Sequence, residues 1–256
     1  MNVSVETVAA PGRPLSRRKG AWPWPWLLMA LALPASALAA LCVGRYPLAL
    51  SQVSSVLAGL ALPDGLAALL PQVGATEHRV VMQVRLPRVL LAVLAGSSLA
   101  MCGAALQGAF RNPLVGPQIL GISSGAAFGG CAAILLFSSL WTTLGLAFAG
   151  GLLAVAVVYL LSRSNGRTTI LMLVLAGVVT SAFFSALISL TTYFADPNDS
   201  LPAIVFWLMG SFATATYAKL AAAAPPILAG MALLYALRFR INVLSLGDEQ
   251  ASAMGI

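Results

Sequence analysis

The chain has 256 residues, 14 basic and 7 acidic, so charged types make up 8%, against roughly 25% in an average globular domain. Hydrophobic types reach 60% and the mean hydropathy is +0.94. A soluble domain of this size must cover its surface with polar groups, and too few are present. The composition therefore excludes a disordered chain, a coiled coil, a nucleic-acid-binding domain and an ordinary soluble enzyme, and predicts an all-α, polytopic bundle with lipid as its partner.

The first 20 residues read as a cytoplasmic tail, because Arg13, Arg17, Arg18 and Lys19 fall there and basic residues favour the inner side. Ser16–Lys19 before an apolar run also fits a twin-arginine or secretory signal, but the run is long for one and further spans follow. Spans are predicted near 21–44 and 89–110, each bounded by basic residues and long enough for the ~20 apolar residues a bilayer requires. Trp22, Trp24 and Trp26 fit an interfacial belt at the start of the first. The next 51 residues, 112–162, carry no charge. That is too long for one helix and predicts a hairpin of spans near 117–137 and 141–162, broken around Ser138, Ser139 and Trp141. Further spans are predicted near 168–194 and 219–238. The stretch 201–217 contains Pro202 and Gly210. It reads as a half-helix on the outer side, because a full span would place Arg238 and Arg240 outside. With this reading nine of the 14 basic residues lie inside, and residues 241–256 form a cytoplasmic segment.

Small residues recur every four positions on two spans. Gly96, Ala100, Ala104 and Gly108 form one face, and Gly121, Gly125 and Gly129 another. Such faces let helix backbones approach closely. Cys42, Cys102 and Cys131 are widely spaced in apolar runs and read as small buried hydrophobes, and His78 has no second histidine at metal-ligand spacing. No metal site and no cofactor is expected. There is no phosphate-binding loop ending in Gly-Lys-Ser/Thr, since Lys19 and Lys219 are the only lysines, and no nucleophile elbow or zinc-protease motif. The predicted spans contain no carboxylate, which argues against a self-powered carrier. The chain reads as a non-enzymatic bundle energised by another protein.

Four groups of residues go beyond composition: Arg85-Leu86-Pro87-Arg88; Gly103–Gly108 followed by Arg111-Asn112-Pro113-Leu114 and Leu120–Ala126; Leu175–Val178 with Phe206–Ser211; and Asn242–Ala251. Together they resemble the FecCD-type permease subunits of bacterial ABC importers for iron–siderophores, haem and cobalamin, over about residues 21–256. The resemblance implies that Arg85 and Arg88 face the periplasm and dock a periplasmic or lipid-anchored substrate-binding protein. It implies that Asn112 belongs to an inner gate, with Thr168 and Thr169 nearby on a looser match. It implies that Leu244, Ser245, Leu246, Gly247, Asp248 and Glu249 belong to a coupling helix seated in an ABC ATPase, present in two copies. A second permease subunit, as a homodimer, completes the expected assembly in the bacterial inner membrane. Read without the family, Arg85 and Arg88 are interfacial anchors, Asn112 caps the third span, and 244–251 is a polar tail. Relatives carry roughly ten spans, so six spans ending after the coupling segment are expected to be a truncated permease, inactive alone. Iron–siderophore is the first expected cargo, with haem, cobalamin or molybdate as alternatives. A secondary carrier or a membrane structural protein is the alternative from another class.

Overall fold

A computed structural model describes residues 24–62, 71, 73–137, 139–164, 167–168 and 170–255. The tail with its Ser16–Lys19 motif, Trp22, Ser138 and Thr169 lie outside the described residues.

The charge-free runs form long helices, because backbone groups in lipid must be paired within their own segment. α1 is Trp24–Cys42, α2 is Leu50–Ala61 and α3 is Ala75–Phe110. After a 3-10 turn at Pro117–Leu120 come α4, Ile122–Phe137, and α5, Leu140–Ser162. A two-residue antiparallel pair, Arg163 with Thr168 and Ser164 with Arg167, closes the connection to α6, Ile170–Tyr193. α7 is Ser200–Met209, α8 Tyr217–Ala236, α9 Arg238–Leu244 and α10 Asp248–Ala253. Among the described residues, α1, α3, α5, α6 and α8 are long and apolar enough to cross a membrane.

The structure shifts several predicted boundaries. α3 begins at Ala75 rather than near residue 89 and runs for 36 residues, about 54 Å at 1.5 Å per residue. That exceeds the ~30 Å hydrocarbon core, so its charged first turns, with Glu77, His78 and Arg79, extend beyond it. The third span becomes α-helical only at Ile122. Residues 117–120 are a 3-10 turn ended by Gly121 in the left-handed region at φ +68°. α7 stops at Met209 because Gly210 has φ +64°, so residues 210–216 form a loop and not the end of a half-helix. The short helix α2 has no counterpart in the predicted elements.

Two small cores hold the bundle. Leu41, Leu48, Val53, Val56 and Val81 join α1, α2 and the start of α3. Cys131, Ala195 and Ile204, backed by Trp207, join α4, the end of α6 and α7. Between them, α4 and α5 pack backbone to backbone. A Cβ placed on Gly125 would lie 2.5 Å from the Gly150 carbonyl oxygen and 2.6 Å from the Ala154 Cβ. One on Gly129 would collide with the Leu146 carbonyl, and one on Gly177 of α6 with that of Ile119. Gly125 and Gly129 are buried in the α4–α5 contact, and Gly121 is buried against Gly177 and Ser181 of α6. Of the other face, Gly96, Ala100 and Ala104 remain exposed and a Cβ on Gly96 would meet nothing within 4 Å, while Gly108 packs against Ile241.

Candidate functional sites at the two ends of α3

The first site is built around Arg85-Leu86-Pro87-Arg88. Proline at 87 has no N–H, so an upstream carbonyl of the helix loses its donor. The helix widens here into a π-turn over Val80–Arg85, and Leu86 N–H reaches back to the Val81 carbonyl. In that five-residue register the carbonyl left over is that of Met82. The Tyr217 hydroxyl, at the start of α8, donates to it at 2.6 Å.

The two arginines point to different neighbours. Arg85 is 7% exposed. Its Nη1 donates to the carbonyls of Leu41 at 2.6 Å and Cys42 at 2.9 Å, and its Nη2 to that of Tyr46. Leu41 and Cys42 are the last residues of α1, where carbonyls lack intrahelical donors and the helix dipole is negative, so a buried guanidinium satisfies both needs. Arg85 is thus turned onto the carbonyl end of α1. Arg88 is half-buried, and its Nη2 donates to the Ala213 carbonyl at 2.6 Å, while its buried Nε has no acceptor. An open cavity of about 620 Å³ lies beside both arginines, bounded also by Ala40, Arg45, Tyr46 and Ala92. At its rim the Tyr46 hydroxyl donates to Glu77 Oε1 at 2.9 Å, and that hydrogen bond holds the phenol above its ordinary pKa.

The second site is at the other end of α3. Arg111 adopts the left-handed conformation, φ 52°, and turns the chain out of the helix. Asn112 is exposed, and its Oδ1 accepts from Leu114 N–H at 3.0 Å. Gln107 Nε2 donates to the Pro113 carbonyl at 3.0 Å. Asn112 therefore shapes the Asn-Pro-Leu turn and does not cap α4, which starts ten residues later in sequence. The 238–253 segment meets the end of α3 just before this turn. A Cβ on Gly108 would sit 3.6 Å from Ile241 Cγ2, and one on Gly247 3.5 Å from Arg111 Nη1. Gly247 has φ +126°, which an L side chain rarely adopts, and it separates α9 from α10. Ser245 Oγ donates to the Asn242 carbonyl at 2.6 Å. Val243 and Ala251 are buried, whereas Leu244 and Leu246 are exposed. Asp248 and Glu249 open α10, where negative charge suits the helix dipole. Thr168 lies on the short strand after α5, away from the described part of this turn in sequence, and pairs through its backbone with Arg163. No group of three or more His, Cys, Asp or Glu residues that could hold a metal ion occurs among the described residues.

Residues 31–256 match the model of the FecCD transport family. The chain belongs to that family. It is 42% identical over 86% of its length to the molybdate import system permease protein MolB of Haemophilus influenzae, covering 64% of that protein. It is 44% identical over 69% of its length to a probable iron chelatin transport system permease protein of Helicobacter pylori, covering 53% of it. A solved structure described as an inward-facing conformation of a metal-chelate type ABC transporter superposes with a TM-score of 0.75 at 39% identity, over 92% of this chain and 68% of the other. The chain thus spans roughly half to two thirds of the length of these two curated relatives. It is a multi-pass membrane protein of a transport family.

Sequence reasoning missed Tyr217 and Ala213 as partners of the Arg-Leu-Pro-Arg turn. Pro87 was the available signal for the first, since a helix proline leaves a carbonyl to be filled. Trp207, within the Phe206–Ser211 motif, anchors α7 by donating from Nε1 to the Ala127 carbonyl at 3.2 Å, with its ring where a Gly130 Cβ would be.

Proposed function

We propose that this chain is permease sequence of a binding-protein-dependent ABC importer, moving an iron chelate of the siderophore type into the cytoplasm. ATP hydrolysis takes place in a partner subunit, present twice, and the permease itself is not catalytic. The observation that carries the reading is the contact of the 238–253 segment with the end of α3, at Gly108 and Arg111 just before the Asn-Pro-Leu turn. The junction of α9 and α10 exposes two leucines, Leu244 and Leu246, as an apolar grip for a partner, and the sequence places Asp248 and Glu249 at the start of α10. α9 packs against the end of α3 through Ile241 and Gly108, so a push on the segment reaches the residues that lead into the turn at Asn112. In this reading Asn112, with Thr168 and Thr169, belongs to the inner gate. Arg88 docks a periplasmic or lipid-anchored binding protein, with Arg85 fixing the turn that presents it. The pathway lies between two permease copies in the bacterial inner membrane, N-terminus inside.

Molybdate is a second reading of the cargo, favoured by the 42% identity to the molybdate permease over 86% of this chain. The cargo bound by the substrate-binding protein that docks at Arg88 separates the two. The coupling assignment is tested by co-purifying the membrane-embedded chain with its co-expressed ATPase. Asp248→Lys with Glu249→Lys should abolish the association, and an unchanged yield of complex would overturn the assignment.

A further inference from the structure

Arg88 holds the 210–216 loop with half of one edge of its guanidinium. Nη2 donates to the Ala213 carbonyl at 2.6 Å, and the buried Nε beside it has no acceptor. The Nε–H and one Nη2–H of an arginine point in the same direction, spaced to meet the two oxygens of one carboxylate. A single carbonyl oxygen serves only one of them, and a buried donor left without an acceptor is costly. The rest of the loop is held locally. Ala213 N–H donates to Ser211 Oγ, Ala215 N–H to the Phe212 carbonyl, and Lys219 Nζ to Thr214 Oγ1. Among the described residues, the Arg88–Ala213 bond is the hydrogen bond that ties residues 210–216 to α3, and Tyr217 with Met82 forms the pivot just after them.

We propose that Arg88 is a latch with two mutually exclusive partners: the Ala213 carbonyl in the undocked chain, and a carboxylate of the docked binding protein, which takes the whole Nε–Nη2 edge and releases the 210–216 loop. The proposal rests on the docking reading and extends it, because engagement of the arginine moves part of the permease. Nε is covered, so a carboxylate reaches it only as the loop gives way, and docking and release become one event. The direction follows from chemistry: a bidentate ionic pair is stronger than one bond to a neutral carbonyl. Arg85 faces the other way, onto the end of α1, and keeps the turn in place while the loop moves.

The test is hydrogen exchange of the 210–216 amides in the chain reconstituted in nanodiscs, wild type and Arg88→Lys, in sodium acetate and in sodium chloride at equal ionic strength. Lysine keeps the charge and lacks the paired edge. In chloride, a third protein, Arg88→Met, which has no donor, should exchange about tenfold faster in this loop, the effect of losing one hydrogen bond of about 1.4 kcal/mol. Acetate should speed the wild-type loop severalfold and leave Arg88→Lys unchanged, with α5 amides constant throughout as the control for folding. Equal loop exchange of wild type and Arg88→Met in chloride, or an equal response of wild type and Arg88→Lys to acetate, overturns the latch. Binding-protein docking that needs Arg88 while the loop stays unresponsive overturns the latch alone. Docking indifferent to Arg88→Glu overturns the docking reading and the proposal with it.

Discussion

Replacing Gly125 by alanine adds one methyl group where the α4–α5 hairpin has no room for it. The new Cβ would sit 2.5 Å from the Gly150 carbonyl oxygen and 2.6 Å from the Ala154 Cβ, whereas ordinary contact begins near 3.4 Å. The two helices must separate by most of an ångström, or shear along each other. Both obstacles belong to a facing helix that is itself glycine-packed, so no flexible side chain can swing away. Overpacking of this kind costs typically about 1–3 kcal/mol, and the helix-propensity gain of alanine over glycine returns roughly 0.5–1 kcal/mol. A net loss of about 0.5–2 kcal/mol is expected. Gly96→Ala is the matched control: it makes the same chemical change on α3, with nothing within 4 Å of the new methyl, and should be neutral or slightly stabilising. Reversible unfolding in bicelles, followed by tryptophan fluorescence, measures both. Gly125→Ala as stable as Gly96→Ala would refute the close packing of α4 on α5.

Arg85→Met keeps the stem and removes the donors that satisfy Leu41, Cys42 and Tyr46, so unfolding in the same assay should show a loss of about 2–4 kcal/mol for several carbonyls left without a charged donor; a neutral effect would mean those carbonyls find other partners. Tyr217→Phe should cost about 1 kcal/mol in the wild-type background and close to nothing with Pro87→Ala, where residue 87 regains an N–H for the Met82 carbonyl; additive effects in that double-mutant cycle would contradict the account of the π-turn. Gly247→Val forces a branched side chain onto φ +126°, a strain of about 1–3 kcal/mol, and should diminish ATPase co-purification while leaving the circular dichroism of the membrane-embedded chain unchanged.

The runs free of charge made most of the bundle legible, because lipid leaves the backbone only a helix and the residues only an apolar composition. The elements that escaped are those whose reason is local or tertiary. α2 contains Ser51, Gln52, Ser54 and Ser55 among its apolar residues and is too short to span, so a search for membrane-length runs passes over it. The first three turns of α3 carry Glu77, His78, Arg79 and Arg85, which mark a loop if charge alone is read. They are helical because they stand beyond the hydrocarbon or, for Arg85, because a buried charge finds the carbonyl end of another helix. The Gly121–Gly125–Gly129 and Gly96–Ala100–Ala104 faces look alike in sequence, yet the described bundle buries the first, Gly121 against α6 and Gly125 and Gly129 against α5, and leaves the second uncovered. Periodicity shows that a face is small and not what lies against it. At the 238–253 segment the resemblance implied a coupling helix that includes residues 244–249, whereas the backbone turns at Gly247, φ +126°, between α9 and α10.

The most direct measurement is disulfide cross-linking of Leu246→Cys, in a background without Cys42, Cys102 and Cys131, to single cysteines along the surface cleft of the co-expressed ATPase. The account predicts a cross-link confined to one cleft position, with a yield that changes when ATP is added. No cross-link at any cleft position, in a complex that still assembles, would contradict it.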